Sequence, residues 1–186
     1  MRLAYADPPY PGQSAKHYAE HPDYAGEVDH FALLRRLDTF DGWVLHTAAT
    51  TLDHVLRMAA DAGVEGFRIM AWVKPFAAFK RNVSVAYAWE PVLVKPVRKP
   101  VVSGREVMRD WRAVKTSECS QAELDAIAES ITLRRGLTGA KPEAVCRWLF
   151  EVAGLTPDDE LDDLFPGSGA VQRAWEAWRS QLRWSA

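Results

Sequence analysis

The chain has 186 residues, 48% of them hydrophobic, with eight tryptophans and a formal net charge of -2 at neutral pH. That size fits one substantial core better than two, and the small negative charge excludes a protein that coats nucleic acid by charge alone. No apolar run approaches membrane-spanning length, and the start lacks a signal-peptide pattern, so a cytoplasmic protein is expected.

In chain order, Arg2 to Ala6 reads as a buried strand, Val28 to Leu37 as a helix and Trp43 to Thr47 as a strand. Thr51 to Ala62 is predicted helical, capped from Thr50-Thr51-Leu52-Asp53. Phe67 to Val73 and Val83 to Val94 are predicted strands. Lys95-Pro96 through Gly104 is expected as a loop or exposed ribbon, because prolines and clustered charge interrupt a core strand. Helices follow at Glu123 to Leu133 and at Pro142 to Val152, with Pro142 suited to a first turn, then a strand at Glu160 to Leu164 and a helix at Ala170 to Leu182. Such alternation predicts an α/β fold, a mainly parallel sheet with helices on both faces. Trp72 and Trp89 fall within apolar strands and are expected in the core, whereas Trp175, Trp178 and Trp184 are expected to cover the sheet or a partner surface. Glu90, in an otherwise apolar strand, needs a buried partner.

Two turns carry the chemistry. Asp7-Pro8-Pro9-Tyr10 follows the first strand, where ligands of open α/β sheets bind. Its prolines fix φ and donate no N–H, leaving carbonyls as acceptors. Asp7 and the Pro8 carbonyl suit the two N–H groups of an exocyclic amine, and Tyr10 suits stacking on its ring; a plain proline-stiffened turn is the alternative. The second turn, Leu161-Asp162-Asp163-Leu164-Phe165-Pro166-Gly167-Ser168-Gly169, enters the last helix. Its glycines permit close backbone approach, and a helix start offers N–H groups to a carboxylate.

Together the two turns resemble the amino-methyltransferases, which methylate the exocyclic nitrogen of adenine or cytosine from S-adenosylmethionine. DPPY ahead of the glycine loop is similar to their permuted, beta-type order, shared with the MT-A70 adenine methyltransferases. Trp72-Val73-Lys74, Glu90-Pro91-Val92-Leu93-Val94 and Lys141-Pro142 extend the likeness, which excludes roughly residues 100 to 138. Tyr10 and the intact FPGSG loop resemble the bacterial and phage DNA enzymes, while Ala6 to Tyr18, with His17-Tyr18, resembles MT-A70. The resemblance implies one Rossmann-like methyltransferase domain over 1–186, shortened at the C-terminus, with a basic insertion or recognition loop at about 95–138. It implies Asp7, Pro8, Pro9 and Tyr10 as catalytic residues. It assigns the cofactor to Ala6, Asp7, Lys141, Asp163, Phe165, Pro166, Gly167, Ser168 and Gly169. The usual acidic ribose ligand on a further strand is absent, leaving Glu176 or the loop after Tyr10 to replace it.

Ten basic residues between Lys74 and Lys115 face three acidic ones, a composition suited to phosphate contact or to a plain solvated face. Lys74, Lys80, Arg81, Lys95, Arg98 and Lys99 are the candidates. Cys119 and Cys146 lack metal or redox spacing and are expected as reduced structural thiols, and the five histidines show no HExxH-type pattern, so no metal is expected. The expected activity is methylation of adenine N6 in DNA, with RNA adenine, cytosine N4 or a catalytically weak nucleic-acid-binding subunit as alternatives. The expected partners are DNA or RNA, and a homodimer mate or a subunit that supplies target recognition.

Overall fold

The computed structural model describes residues 1–14, 26–78, 84–98, 107–121, 123–124 and 141–184, with the backbone alone at 75–78 and 183–184. The predicted helix at Glu123 to Leu133, beyond Leu124, lies outside the described residues, as do His17, Tyr18, Lys80, Arg81 and Lys99. The elements are β1 (Arg2–Ala6), α1 (His30–Leu37), β2 (Gly42–His46), α2 (Leu52–Asp61), β3 (Arg68–Ala78), β4 (Tyr87–Lys95), β5 (Trp111–Ala113), a 3₁₀ turn at Thr116–Glu118, α3 (Glu143–Val152), β6 (Glu160–Asp163) and α4 (Ala170–Trp184).

The strands form one sheet in the order β5-β3-β4-β2-β1-β6. β1 is parallel to β2 and β6, and β3 to β5, while β4 is antiparallel to both β2 and β3. Only β4 is reversed, so the mainly parallel α/β fold predicted from alternation is present. Side-chain alternation along β1 divides the core. Leu3 and Tyr5 pack with Val145, Leu149 and Phe150 of α3 and with Val171 and Trp175 of α4, whereas Ala4 and Ala6 pack with Leu34 and Leu37 of α1 and Val55 of α2. Trp175 and Trp178 are buried with rings stacked at 5.4 Å, and Phe150 meets Trp175 edge-on at 5.4 Å. These tryptophans cover the sheet as expected.

Local readings need four corrections. Thr51 is the N-cap of α2, but its hydroxyl bonds the Ala48 carbonyl and the Thr47 hydroxyl instead of a helix N–H. Pro142 stands one place outside α3 as its N-cap, its carbonyl accepting from Val145 and Cys146. Lys95 belongs to β4, so the expected loop starts one residue later, at Pro96, and it starts packed: Val97 is buried with its N–H on the Ala153 carbonyl. Trp89 is 41% exposed, while Trp72 on the opposite face is buried. Apolar strand composition did not reveal that one face of β4 is open at this end.

Candidate active site

The ladder between β1 and β6 sets Tyr5 level with Asp163, and Leu164 N–H extends it by donating to the Tyr5 carbonyl at 2.9 Å. Asp7 and the glycine turn therefore leave neighbouring parallel strands at the same sheet edge, as the sequence required if the two motifs were to meet. Pro8 is the buried member of the Asp7–Tyr10 turn. The His30 ring of α1 hydrogen-bonds the Pro9 backbone, and burial, the larger influence, lowers the His30 pKa. Downstream, Gln13 N–H closes a turn on the Tyr10 carbonyl at 2.9 Å, and Gly12, at φ 73°, donates to Glu27 Oε1 at 2.7 Å. The DPPY segment is thus tied down from both sides.

Beneath Asp7 lies a buried polar network that crosses the sheet. Lys141, which precedes α3, places Nζ 2.8 Å from Asp7 Oδ2 and 3.2 Å from Glu90 Oε1. Glu90 on β4 also receives His46 Nδ1 of β2 at 2.8 Å, and its Oε2 lies 3.4 Å from Lys74 Nζ of β3. Glu90 is an acceptor, so Nδ1 carries the ring proton and Nε2 is left to the Tyr5 hydroxyl at 2.7 Å. Tyr5 in turn hydrogen-bonds the Cys146 thiol. Burial by itself raises a carboxyl, yet Lys141, then His46 and Lys74, hold Glu90 well below the ordinary range. Burial likewise opposes charge on Lys141, but Asp7 and Glu90 hold its ammonium above the ordinary lysine range. Cys146, pushed up to about 12 chiefly by burial, is an inert thiol. The partner that buried Glu90 required is present.

The glycine turn offers complementary groups. Asp163 Oδ1 accepts from Phe165 N–H at 3.2 Å, while Oδ2 is buried with no hydrogen-bond partner among the described residues. Burial raises the Asp163 carboxyl, and the Asp7 charge adds to it against the Phe165 bond. Gly167 and Gly169 have φ of 45° and 72°, and a Cβ at Gly167 would meet only the Phe165 carbonyl oxygen, at 3.8 Å. Gly169 N–H bonds the Pro166 carbonyl at 2.6 Å as the chain enters α4. An orphan acceptor, open backbone and a helix start fit a zwitterionic ligand.

Among the described residues, the basic candidates Lys74, Lys95 and Arg98 do not gather here as one patch. Lys74 faces Glu90. Lys95, at the far end of reversed β4 and level with Trp43, pairs with Asp38 at 2.5 Å. Arg98 forks onto Asp159 at 2.5 and 2.7 Å. Asp159 also binds the N-terminal amine at 3.0 Å and the Thr156 N–H and hydroxyl, at the sheet edge opposite Asp7. Lys95 and Arg98, expected as phosphate ligands, thus lie toward the end of the sheet opposite Asp7, each in an ion pair. Glu176 accepts from Gln172 on α4.

His30 and His46 are the contributors that sequence spacing missed, since each meets its partner only through the fold. Asp7, His46 and Glu90 each place one ligand atom within 4.8 Å of the others, and the cation between Asp7 and Glu90 is the Lys141 ammonium.

No family model matches the chain, and no curated protein matches it. Among solved structures it is similar to M1.HpyAVI, with a TM-score of 0.52 and 13% identity over 96% of this chain and 75% of that one. The M1.HpyAVI–SAM complex gives a TM-score of 0.51 and 14% identity over 95% and 74%. At that identity the likeness shows a shared fold.

Proposed function

We propose that this chain is an S-adenosylmethionine-dependent methyltransferase whose acceptor is the N6 amine of adenine in DNA. The observation that carries the reading is the meeting of Asp7 with the orphan Asp163 Oδ2 and the glycine turn at one sheet edge. The motif resemblance to the permuted amino-methyltransferases and MT-A70 supports it, and so does a structural neighbour crystallised with SAM. The reading takes 1–186 as one methyltransferase domain with a recognition loop at about 95–138. A homodimer mate or partner subunit belongs to it as a source of target recognition.

The donor set fits the cofactor. Asp163 Oδ2 would accept from its ammonium, the Gly167–Gly169 backbone would admit its methionine end, the α4 start would receive its carboxylate, and Phe165 would contact its adenine. The bound cofactor supplies a methyl group already activated on sulfonium. Asp7 and the Pro8 carbonyl accept the two N–H bonds of the target amine, favouring a more tetrahedral nitrogen, and the carboxylate stabilises the positive charge that develops there. Tyr10 stacks on the base, which in a duplex must be flipped out. Alignment of the amine for in-line transfer is the main contribution of this turn.

Mass spectrometry of nucleosides from host DNA and RNA, with and without expression of the chain, tests the reading. N6-methyladenine is expected to rise in DNA. A rise confined to N4-methylcytosine or to RNA, or no rise in either, overturns the assignment.

A further inference from the structure

We infer that Lys141 is a positioning residue for Asp7, held by Glu90 and His46 so that one carboxylate oxygen of Asp7 is kept for the substrate amine. The inference rests on the methyltransferase reading above.

The geometry is that of a clamp. The Lys141 side chain is only 3% exposed, its ammonium lies between Asp7 Oδ2 at 2.8 Å and Glu90 Oε1 at 3.2 Å, and it sits 5.5 Å from the centre of the buried Trp72 ring. Glu90 is fixed in turn by His46 at 2.8 Å, and His46 by Tyr5 at 2.7 Å. The chain of contacts therefore reaches from the middle of β1, through β2 and β4, to the entrance of α3 and back to the end of β1.

A purely structural purpose explains this poorly. Taking charges out of water is expensive, and replacing a buried ion pair with apolar residues of similar volume is often neutral or stabilising. The network instead reaches the surface at Asp7 and at Lys74, each with a side chain 21% exposed, and of the two Asp7 follows β1, the strand beside the glycine turn. With Oδ2 bound to a rigid ammonium, the carboxylate loses rotational freedom before substrate arrives. The ion pair engages Oδ2, which leaves Oδ1 for an N–H donor. The Asp7 and Glu90 carboxylates are matched by Lys141 and Lys74, so the assembly is charge-balanced without a further cation.

This role differs from a cofactor contact and gives different measurements. Lys141→Ala should lower kcat about a hundredfold, the scale of a small misplacement of a reacting group, while the dissociation constant for S-adenosylmethionine stays within roughly twofold. Methylamine, which fits the vacated space, should restore a part of kcat; Glu90→Gln should lower kcat in the same direction without removing the ammonium. Nitrogen-detected NMR of the lysine ammonium groups reads the clamp without turnover. The Lys141 resonance should move in Asp7→Asn and in Glu90→Gln.

Wild-type kcat in Lys141→Ala, a loss confined to cofactor affinity, or an ammonium resonance indifferent to Asp7→Asn would each overturn the proposal. A wild-type chain that binds S-adenosylmethionine but methylates no nucleic acid would overturn the methyltransferase reading instead, and the ammonium resonance would still decide the clamp.

Discussion

Tyr5 and Asp163 stand level on adjacent parallel strands, and that single register brings the two chemical motifs of the chain, about 150 residues apart, to one sheet edge. Tyr5 faces inward to His46, while the chain beyond it turns out through Asp7. Asp163 begins the glycine turn.

Asp7→Ala should abolish methyl transfer while leaving S-adenosylmethionine binding nearly intact, since Asp7 is assigned to the amine. Loss of its charge should cost on the order of a hundredfold or more in rate. Single-turnover assays alongside calorimetry check this, and wild-type turnover would remove Asp7 from the chemistry.

Gly167→Val should remove cofactor binding by calorimetry. The protein itself leaves room for the new side chain, whose Cβ meets only a carbonyl oxygen at 3.8 Å, so the obstruction falls on the ligand. The φ of 45° adds backbone strain of about 1–2 kcal/mol for a β-branched residue, visible as a modest loss in Tm. Unchanged affinity would show that the ligand does not approach this turn.

Asp163→Asn should separate stability from function. The folded pKa of Asp163 is raised above its ordinary 3.8, first by burial, so its favourable contribution is complete below 3.8 and is lost as pH rises through the folded value. At neutral pH the carboxylate is a cost, and asparagine should raise Tm by roughly 2 °C while weakening S-adenosylmethionine binding. The Tm gain should shrink on acidification. A variant less stable at pH 7 but unchanged in cofactor affinity would contradict both assignments.

Arg98→Ala should lower Tm by roughly 5 °C, because it exposes Asp159 to the loss of its forked partner; the partly exposed guanidinium limits the effect to about 1–2 kcal/mol. Arg98 first, then the N-terminal amine and Thr156, hold the Asp159 carboxyl far below 3.8, so this stabilisation is present above 3.8 and is lost as pH falls toward the folded value. The salt dependence of DNA binding should not change. A drop of about one unit in the log-log salt slope would return Arg98 to phosphate contact.

The sequence by itself determined much of this protein. Period-two apolar runs and 3.6-period helices placed β1, β2, β4, β6 and four helices within a few residues of their observed bounds, because half-buried strands and amphipathic helices must repeat that way. It also singled out Asp7, Asp163 and the glycines as candidates, since they follow strands at the sheet edge where ligands of open α/β folds bind. β5, three residues long and with an exposed tryptophan, carries too little pattern to be legible.

Only the tertiary structure decided who meets whom. That His46 would stand between Tyr5 and Glu90, and that Lys141 would bridge Glu90 to Asp7, depends on the strand order and on the reversal of β4, which no local periodicity encodes. The same reversal carried Lys95 and Arg98 to the far edge. Charge read along a chain gives composition; only the direction of each strand gives the charge an address.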